Sequence, residues 1–277
     1  MSGILKIQCW GVRGNMGPAQ PSIEYGIHTT CVEVGVAGFP SALVDMGSGA
    51  IPAAVELMKR NVREFDIFQT HLHMDHLQGL FAFAPFYRSG NVIRWRSARP
   101  DLEANIRALH APPLHPLTLD QAPAKFEFAE LPERGSRYFP YLGMTVSWEP
   151  LAHPQGCTGF RFDSGDSAIV FATDVELDST HDHSGLERLL REPYPAGLLI
   201  IDGMFMNDEM AAHRGWGHSS WTEGLAMARR CGVENVQIFH HHYKYTDADL
   251  RAIEQAAAPV RWARENTVTS LCANRLA

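Results

Sequence analysis

Apolar residues along this chain fall into short runs separated by polar turns, and the spacing inside each run distinguishes strands from helices. Ile4 to Trp10, Thr30 to Val36, Ala42 to Asp45 and Phe65 to Thr70 are apolar, β-prone runs that end in Gly, Pro or polar turn residues, which predicts strands. A second set lies at Lys125 to Glu130, Met144 to Glu149, Thr158 to Phe162, Ala168 to Ala172, Leu198 to Ile201 and Val236 to Phe239. Between them, Ile51 to Arg60, Leu186 to Arg191, Ser220 to Arg230 and Thr246 to Ala257 read as helices from their apolar spacing. Two β-rich halves with interleaved helices predict an α/β fold in which two sheets pack together under outer helices, a four-layer αββα sandwich. The stretch from Arg88 to Pro123, with WRSARP and HAPPLHPL, breaks the alternation and reads as an irregular insertion, a candidate gate over a site.

The 277 residues contain no Ser/Gly/Pro-rich linker or charge run, so residues 1–277 read as one domain with an insertion around 88–123. Apolar residues at 45% and charged residues at 20% suit an ordinary globular protein able to bury a rigid polar site. The N-terminal MSGILKIQCWGVRG lacks the basic and long apolar regions of a leader, and no run of eighteen apolar residues occurs, so a cytoplasmic protein away from membranes is expected. Five cysteines, Cys9, Cys31, Cys157, Cys231 and Cys272, lack C-x-x-C spacing and read as reduced thiols. A net charge of −7 argues against a nucleic-acid partner held by its phosphates but leaves room for a small anionic substrate. Fourteen histidines, several of them clustered, are the first sign of metal.

The segment IFQTHLHMDHLQG puts a strand immediately before His71. In the extended part His71 and His73 point the same way, because side chains repeat every two residues. Asp75 and His76 follow on a tight loop or first helical turn, where they can face a second ion. Imidazole and carboxylate together suit zinc, manganese or iron, and the spacing supplies two half-sites. A histidine-rich surface turn is the plain alternative, and four ligand-type residues within six positions fit it poorly.

This H-x-H-x-D-H cluster resembles that of the metallo-β-lactamase superfamily. Gly11-Val-Arg-Gly14, Leu43-Val-Asp-Met-Gly-Ser-Gly49 and Phe171-Ala-Thr-Asp174 are similar to further landmarks, and the resemblance runs over nearly the whole chain. It implies a binuclear metal-dependent hydrolase whose remaining ligands are a histidine after a later strand, a bridging aspartate and a final histidine. Those roles fall on His153, Asp174 and His240. His71, His73 and His153 would then hold one ion, Asp75, His76 and His240 the other, with Asp174 between them. His153 also reads as a turn residue before Pro154, Asp174 as a helix cap, and the run His240-His241-His242 leaves its register open. Asp45 is either a hydrogen-bonded support of the metal loop or an Asx-turn residue.

A second motif, Gly217-His218-Ser219-Ser220, opens a helix and resembles the G-H-S-T segment of the ribonuclease Z and cyclic-phosphodiesterase branch. The resemblance implies that His218 reaches the site as a proton donor or phosphate contact, with Asp202 as its orienting carboxylate; a packed core histidine is the other reading. Relatives often carry glutamate at the place of Asp202, and His28 stands where an asparagine is common. The long basic arm that ribonuclease Z uses to hold transfer RNA has no counterpart, and Arg88, Arg94, Arg96, Arg99 and Arg107, diluted by Asp101 and Glu103, read as a solvated face. Two divalent ions, zinc first with manganese or iron as options, would lower the pKa of a bridging water, while Asp75 orients it and His218 serves the leaving group. The implied reaction is hydrolysis of a small or cyclic phosphodiester. Its rivals are an RNA-processing nuclease, a lactone or thioester hydrolase, and a non-catalytic ligand sensor. A homodimer is a further expectation from the same resemblance.

Overall fold

The computed structural model describes residues 4–257, 260–272 and 275–276. Its first half runs β1 (Leu5–Gly11), β2 (Arg13–Gly14), β3 (Cys31–Val36), β4 (Ser41–Val44), α1 (Ala50–Lys59), β5 (Glu64–Gln69), β6 (Val92–Ser97), α2 (Leu102–Leu109) and β7 (Lys125–Glu130). The second half continues with β8 (Gly135–Phe139), β9 (Met144–Leu151), β10 (Cys157–Ser164), β11 (Ser167–Ala172), α3 (Ser184–Arg191), β12 (Leu198–Asp202), α4 (Met210–His213), α5 (Trp221–Cys231) and β13 (Val236–Phe239). It closes with β14 (His241–His242), α6 (Asp247–Ala256), β15 (Arg261–Trp262), β16 (Val268–Cys272) and β17 (Arg275–Leu276).

Two large sheets form, an eight-stranded one in the order β17-β16-β1-β3-β4-β5-β6-β7 and a seven-stranded one in the order β15-β13-β12-β11-β10-β9-β8, while β2 and β14 pair as a separate two-stranded sheet. The period-two alternation of each strand decides which layer its side chains fill. In β11, Ile169 and Phe171 face the other sheet, while Ala168, Val170 and Ala172 face the outer helices; in β12 Leu198 and Ile200 separate from Leu199 and Ile201 in the same way. The central cluster combines Leu5, Ile7, Val34 and Phe68 of one sheet with Phe160, Phe162 and Phe239 of the other. Two outer clusters pack α1 and α2 on the first sheet, through Ala54, Leu57 and Ile106, and α3 and α5 on the second, through Leu186, Leu189 and Met227. The four-layer αββα arrangement expected from the sequence is the one observed.

The expected irregular stretch from Arg88 to Pro123 needs correction, because β6 pairs in parallel with both β5 and β7 and α2 follows it. Burial along VIRWRS alternates, with Ile93 and Trp95 inside the outer cluster. Arg94 and Arg96 on the opposite face meet Asp66, and Arg94 also meets Glu64 and Glu127. Charge on one face of this strand masks its hydrophobic signal in the sequence. Strands β8 and β16 also escaped the pattern, being short and largely solvent-facing.

Parallel pairing places the chemistry. β4 and β5 run parallel, as do β11, β12 and β13, so their carboxyl ends gather along one rim of the sandwich. Crevices outside such ends are where ligands of open α/β sheets bind.

Candidate metal centre

Every segment that supplies the cluster leaves the end of a strand or a turn beside it. Asp45 follows β4, His71 and His73 follow β5, His153 follows β9, Asp174 follows β11, Asp202 ends β12 and His240 follows β13. Asp75 and His76 sit on a single 3-10 turn, Met74–His76, rather than opening an α-helix. Asp45, Asp174 and His240 all adopt positive φ, of 63°, 57° and 62°, a conformation that Asp and His tolerate better than most residues and that turns each side chain back over the rim. The Met46-Gly-Ser-Gly49 turn presses against the histidine loop: the Met46 amide donates to the His76 carbonyl, and a Cβ on Gly79 would lie 2.2 Å from the Gly47 carbonyl oxygen.

The ligand-type atoms converge in two groups. His71, His73 and His153 form one, with His153 Nε2 3.1 Å from His73 Nδ1. Asp75, His76 and His240 form the other, with His76 Nε2 3.3 Å from His240 Nε2 and His240 Nε2 3.2 Å from Asp75 Oδ2. Asp174 stands between them. Its Oδ1 lies 3.8 Å from His71 Nε2 and 3.9 Å from His153 Nε2, and its Oδ2 lies 3.2 Å from His76 Nε2 and 3.4 Å from His240 Nε2. All seven residues that the sequence singled out as ligands therefore meet in space. Of the three consecutive histidines, His240 alone joins the cluster, whereas His241 Nε2 contacts the Ala263 carbonyl at 2.7 Å and the His242 ring stacks on Tyr243.

A surrounding layer of hydrogen bonds aims these atoms. Asp45, fully buried, accepts from Thr70 N at 2.8 Å, from Gln69 Nε2 at 2.9 Å and from His76 Nδ1 at 2.7 Å, which turns His76 Nε2 into the centre. The support reading of Asp45 thus matches its contacts. His153 Nδ1 donates to the Gly217 carbonyl at 2.8 Å, His71 Nδ1 meets Thr70 Oγ1 at 3.0 Å, and Asp75 Oδ2 accepts from Asn15 N at 2.8 Å. Glu176, buried and absent from the sequence-based set, accepts the Gly215 and Gly217 amides at 2.8 to 2.9 Å and so holds the loop that carries both the Gly217 carbonyl and His218. Its only sequence signal is a carboxylate two residues past Asp174.

His218 Nδ1 donates to Asp202 Oδ2 at 2.8 Å, so the shorter carboxylate still reaches. Asp202 also accepts from the Asp174, Met204 and Ser219 amides at 3.0 to 3.1 Å, which locks it in place. Burial alone would lower the His218 pKa, but Asp202, Asp174 and Asp75 outweigh it and raise it to about 9. Burial holds His71 neutral and brings His153 down to about 4, which keeps their lone pairs available. For Asp174 burial pushes upward, and His240, His76 and His71 more than reverse it, leaving the carboxylate ionised. Among the described residues the His28 imidazole has no hydrogen bond, ion pair or ring contact with this cluster.

The donor set fits divalent cations. Asp45, Asp75, Asp174 and Asp202 are buried together, and among the described residues no lysine or arginine pairs with any of them. His71 Nε2 and Asp174 Oδ2 are buried without a hydrogen-bond partner, although both point at the shared centre. Four carboxylates and converging imidazole lone pairs at this depth are costly unless positive charge stands among them. No described helix is long and apolar enough to cross a membrane.

Comparison with known proteins agrees with this architecture. The chain resembles the metallo-β-lactamase fold protein YhfI from Bacillus subtilis at 16% identity, covering 97% of this chain and 100% of that one with a TM-score of 0.70. It resembles the short form of human tRNase Z (ELAC1) at 18% identity, 95% and 98% coverage and a TM-score of 0.69. Yeast PDE1 follows at 15% identity, 97% and 99% coverage and a TM-score of 0.67. No curated protein matches the sequence itself. The beta-lactamase superfamily domain matches residues 43–241, a span that holds every residue of the cluster except Asn15 and its neighbours on the N-terminal loop. With that match over most of its length, a metallo-β-lactamase fold and a buried His/Asp centre, the chain belongs to the beta-lactamase superfamily of metal-dependent hydrolases.

Proposed function

We propose that this protein hydrolyses small or cyclic phosphodiesters, with two divalent ions, zinc first and manganese or iron as options, at the two half-sites. His71, His73 and His153 would hold one ion, Asp75, His76 and His240 the other, and Asp174 would bridge them through its separate oxygens. When bound, such ions lower the pKa of a water and neutralise charge on phosphoryl oxygens. Asp75, whose Oδ2 faces His76 and His240 and also accepts from Asn15 N, would orient the attacking water. Asp202 fixes the His218 tautomer by accepting from Nδ1, which leaves Nε2 to carry a proton to the leaving alkoxide. The Asp202 carboxylate at 2.8 Å favours the protonated ring.

The His218–Asp202 pair beside the cluster carries this reading, because a buried, charged acid has a use in expelling a poor leaving group that an acyl hydrolase with a bound metal pair needs less. Fold relatives named as a tRNase Z, PDE1 and a diphosphatase of the PhnP family are in keeping with it. The substrate is expected to be a small anion rather than a long RNA, given the net charge of −7. Metal analysis with a panel of cyclic nucleotides, cyclic ribose phosphates, RNA and lactones tests the proposal. Metal-dependent turnover of cyclic phosphates that falls about 10²-fold or more in His218→Ala supports it. Lactone turnover indifferent to that change sinks it.

A further inference from the structure

The segment that leaves β11 runs against the loop before α5, and their contacts centre on Glu176. On one side Ser219 Oγ donates to the Val175 carbonyl at 2.6 Å, and on the other it accepts from Leu177 N at 2.9 Å, so the backbone of Glu176 is fixed between its neighbours. The Glu176 amide donates to the Ala152 carbonyl at 2.8 Å, immediately before His153. Asp174, which stands between the two half-sites, lies two residues upstream on the same segment. The buried Glu176 carboxylate accepts the Gly215 and Gly217 amides, with Arg214 Nη1 4.0 Å away. Burying a carboxylate is costly unless donors surround it, and hydrogen bonds to an ionised acceptor are shorter and stronger than neutral ones. The loop is therefore held more firmly here than a neutral acceptor would hold it.

Gly217 is bonded on both sides. Its N–H donates to Glu176 Oε2 at 2.9 Å, and its carbonyl accepts from His153 Nδ1 at 2.8 Å. With φ of +83° and a Cβ that would stand 2.2 Å from His153 Nδ1, the position has room for no other residue. His218 follows directly, its ring fixed at Nδ1 by Asp202. The contact that aims His153 Nε2 at its half-site and the ring that serves the leaving group are thus adjacent on one loop. A displacement of Gly217 moves both.

We infer that Glu176 is a positioning residue that sets His153 and His218 in one register through Gly217, so that occupancy of the half-site of His71, His73 and His153 and placement of the proton donor depend on each other. The role of His218 in this inference rests on the phosphodiesterase reading above. Among the described residues Glu176 joins none of the ligand groups, and its carboxylate is engaged by loop amides, so it acts only through the residues it holds.

Glu176→Gln, which removes the charge at nearly constant shape, tests this on two diesters: bis-p-nitrophenyl phosphate, with a good leaving group, and adenosine 2′,3′-cyclic phosphate, with a poor alkoxide one. A displaced acid penalises the poor leaving group, so kcat on the cyclic phosphate should fall about tenfold or more beyond any fall on the aryl diester, with KM little changed. The variant should also release one divalent ion at about 10- to 100-fold lower chelator concentration while holding the other as wild type does. Hydrogen exchange of the Gly215 and Gly217 amides should be slowed by zinc in wild type and left unchanged by it in Glu176→Gln. Gly217→Ala disturbs the same junction from the loop side and should reproduce the leaving-group and metal effects, so that if one variant fails to fold the other decides. Equal losses on the two diesters, or either effect without the other, overturn the coupling and leave the phosphodiesterase reading intact. Absence of turnover of both diesters by wild type, with zinc-dependent amide protection that Glu176→Gln abolishes, upholds the coupling and overturns the phosphodiesterase reading instead.

Discussion

At the scale of single residues, the centre works by assigning each polar atom one task. Asp45 spends both oxygens on Thr70, Gln69 and the Nδ1 of His76, so its charge acts on the centre only through the ring it turns. Asp174 does the reverse and presents one oxygen to each half-site. Removing an orienting contact of the Asp45 kind weakens metal retention about 10- to 100-fold in comparable sites. Asp45→Asn, which keeps the left-handed backbone accessible, is therefore expected to fold and to lose divalent cations to a competing chelator at 10- to 100-fold lower chelator concentration. Retention equal to wild type would mean that the His76 tautomer needs no carboxylate.

At the scale of elements, strand ends supply ligands and helix starts supply order. Ser220 caps α5 in a reciprocal box, accepting from Glu223 N while Glu223 accepts from Ser220 N at 2.9 Å, two residues after His218. This cap sets where the helix begins and hence where Gly217 and His218 leave the loop, and Glu176 ties the same loop from the other side. Ser220→Ala is expected to cost about 1 kcal/mol of unfolding free energy, read as a lower denaturant midpoint at constant m. A loss near zero would show that packing of α5 on β12 and β13, through Met227 and Ala228 against Ile201 and Ile238, holds the helix alone. Element β6 makes the converse point. Its arginine-bearing face hid it from hydrophobic periodicity, yet its parallel pairing brings Arg99 to the rim.

At the scale of the whole molecule, chain ends far apart in sequence close around the N-terminal loop. Glu265 reaches back to accept the His28 amide beside Arg13, whose guanidinium is buried and donates to the Gly26 and Tyr245 carbonyls. Burial raises the Glu265 pKa to about 7, against smaller opposing contributions from the His28 and Ile27 amides and from Arg13. A carboxyl raised in the folded state favours folding most below its unfolded pKa, near 4.3, and that contribution is lost as pH rises through about 7. The slope is at most about 1.4 kcal/mol per pH unit over that window, reduced by solvent screening at a partly exposed site. Wild-type stability should therefore fall between pH 5 and 7.5 more steeply than that of Glu265→Gln, as followed by chemical denaturation across that range. Parallel curves would place the ionisation elsewhere.

The local facts were legible in the chain alone. Period-two and helical runs announced the four layers, and H-x-H-x-D-H announced a metal loop, because six consecutive positions cannot separate far in space. Resemblance extended that loop to His153, Asp174 and His240. What the tertiary structure decided concerns partners distant in sequence. It put His240 rather than His241 or His242 beside His76, because a left-handed residue after β13 aims only the first ring over the rim. It brought Glu176 under the 215–217 loop and Asp202 within 2.8 Å of His218. It also gave Arg94, Arg96 and Arg107 carboxylate partners that Arg88 and Arg99 lack among the described residues, a distinction that depends on which segments lie side by side. Spacing governs contacts within a turn or strand, whereas contacts between segments follow from sheet order and from which face each strand buries.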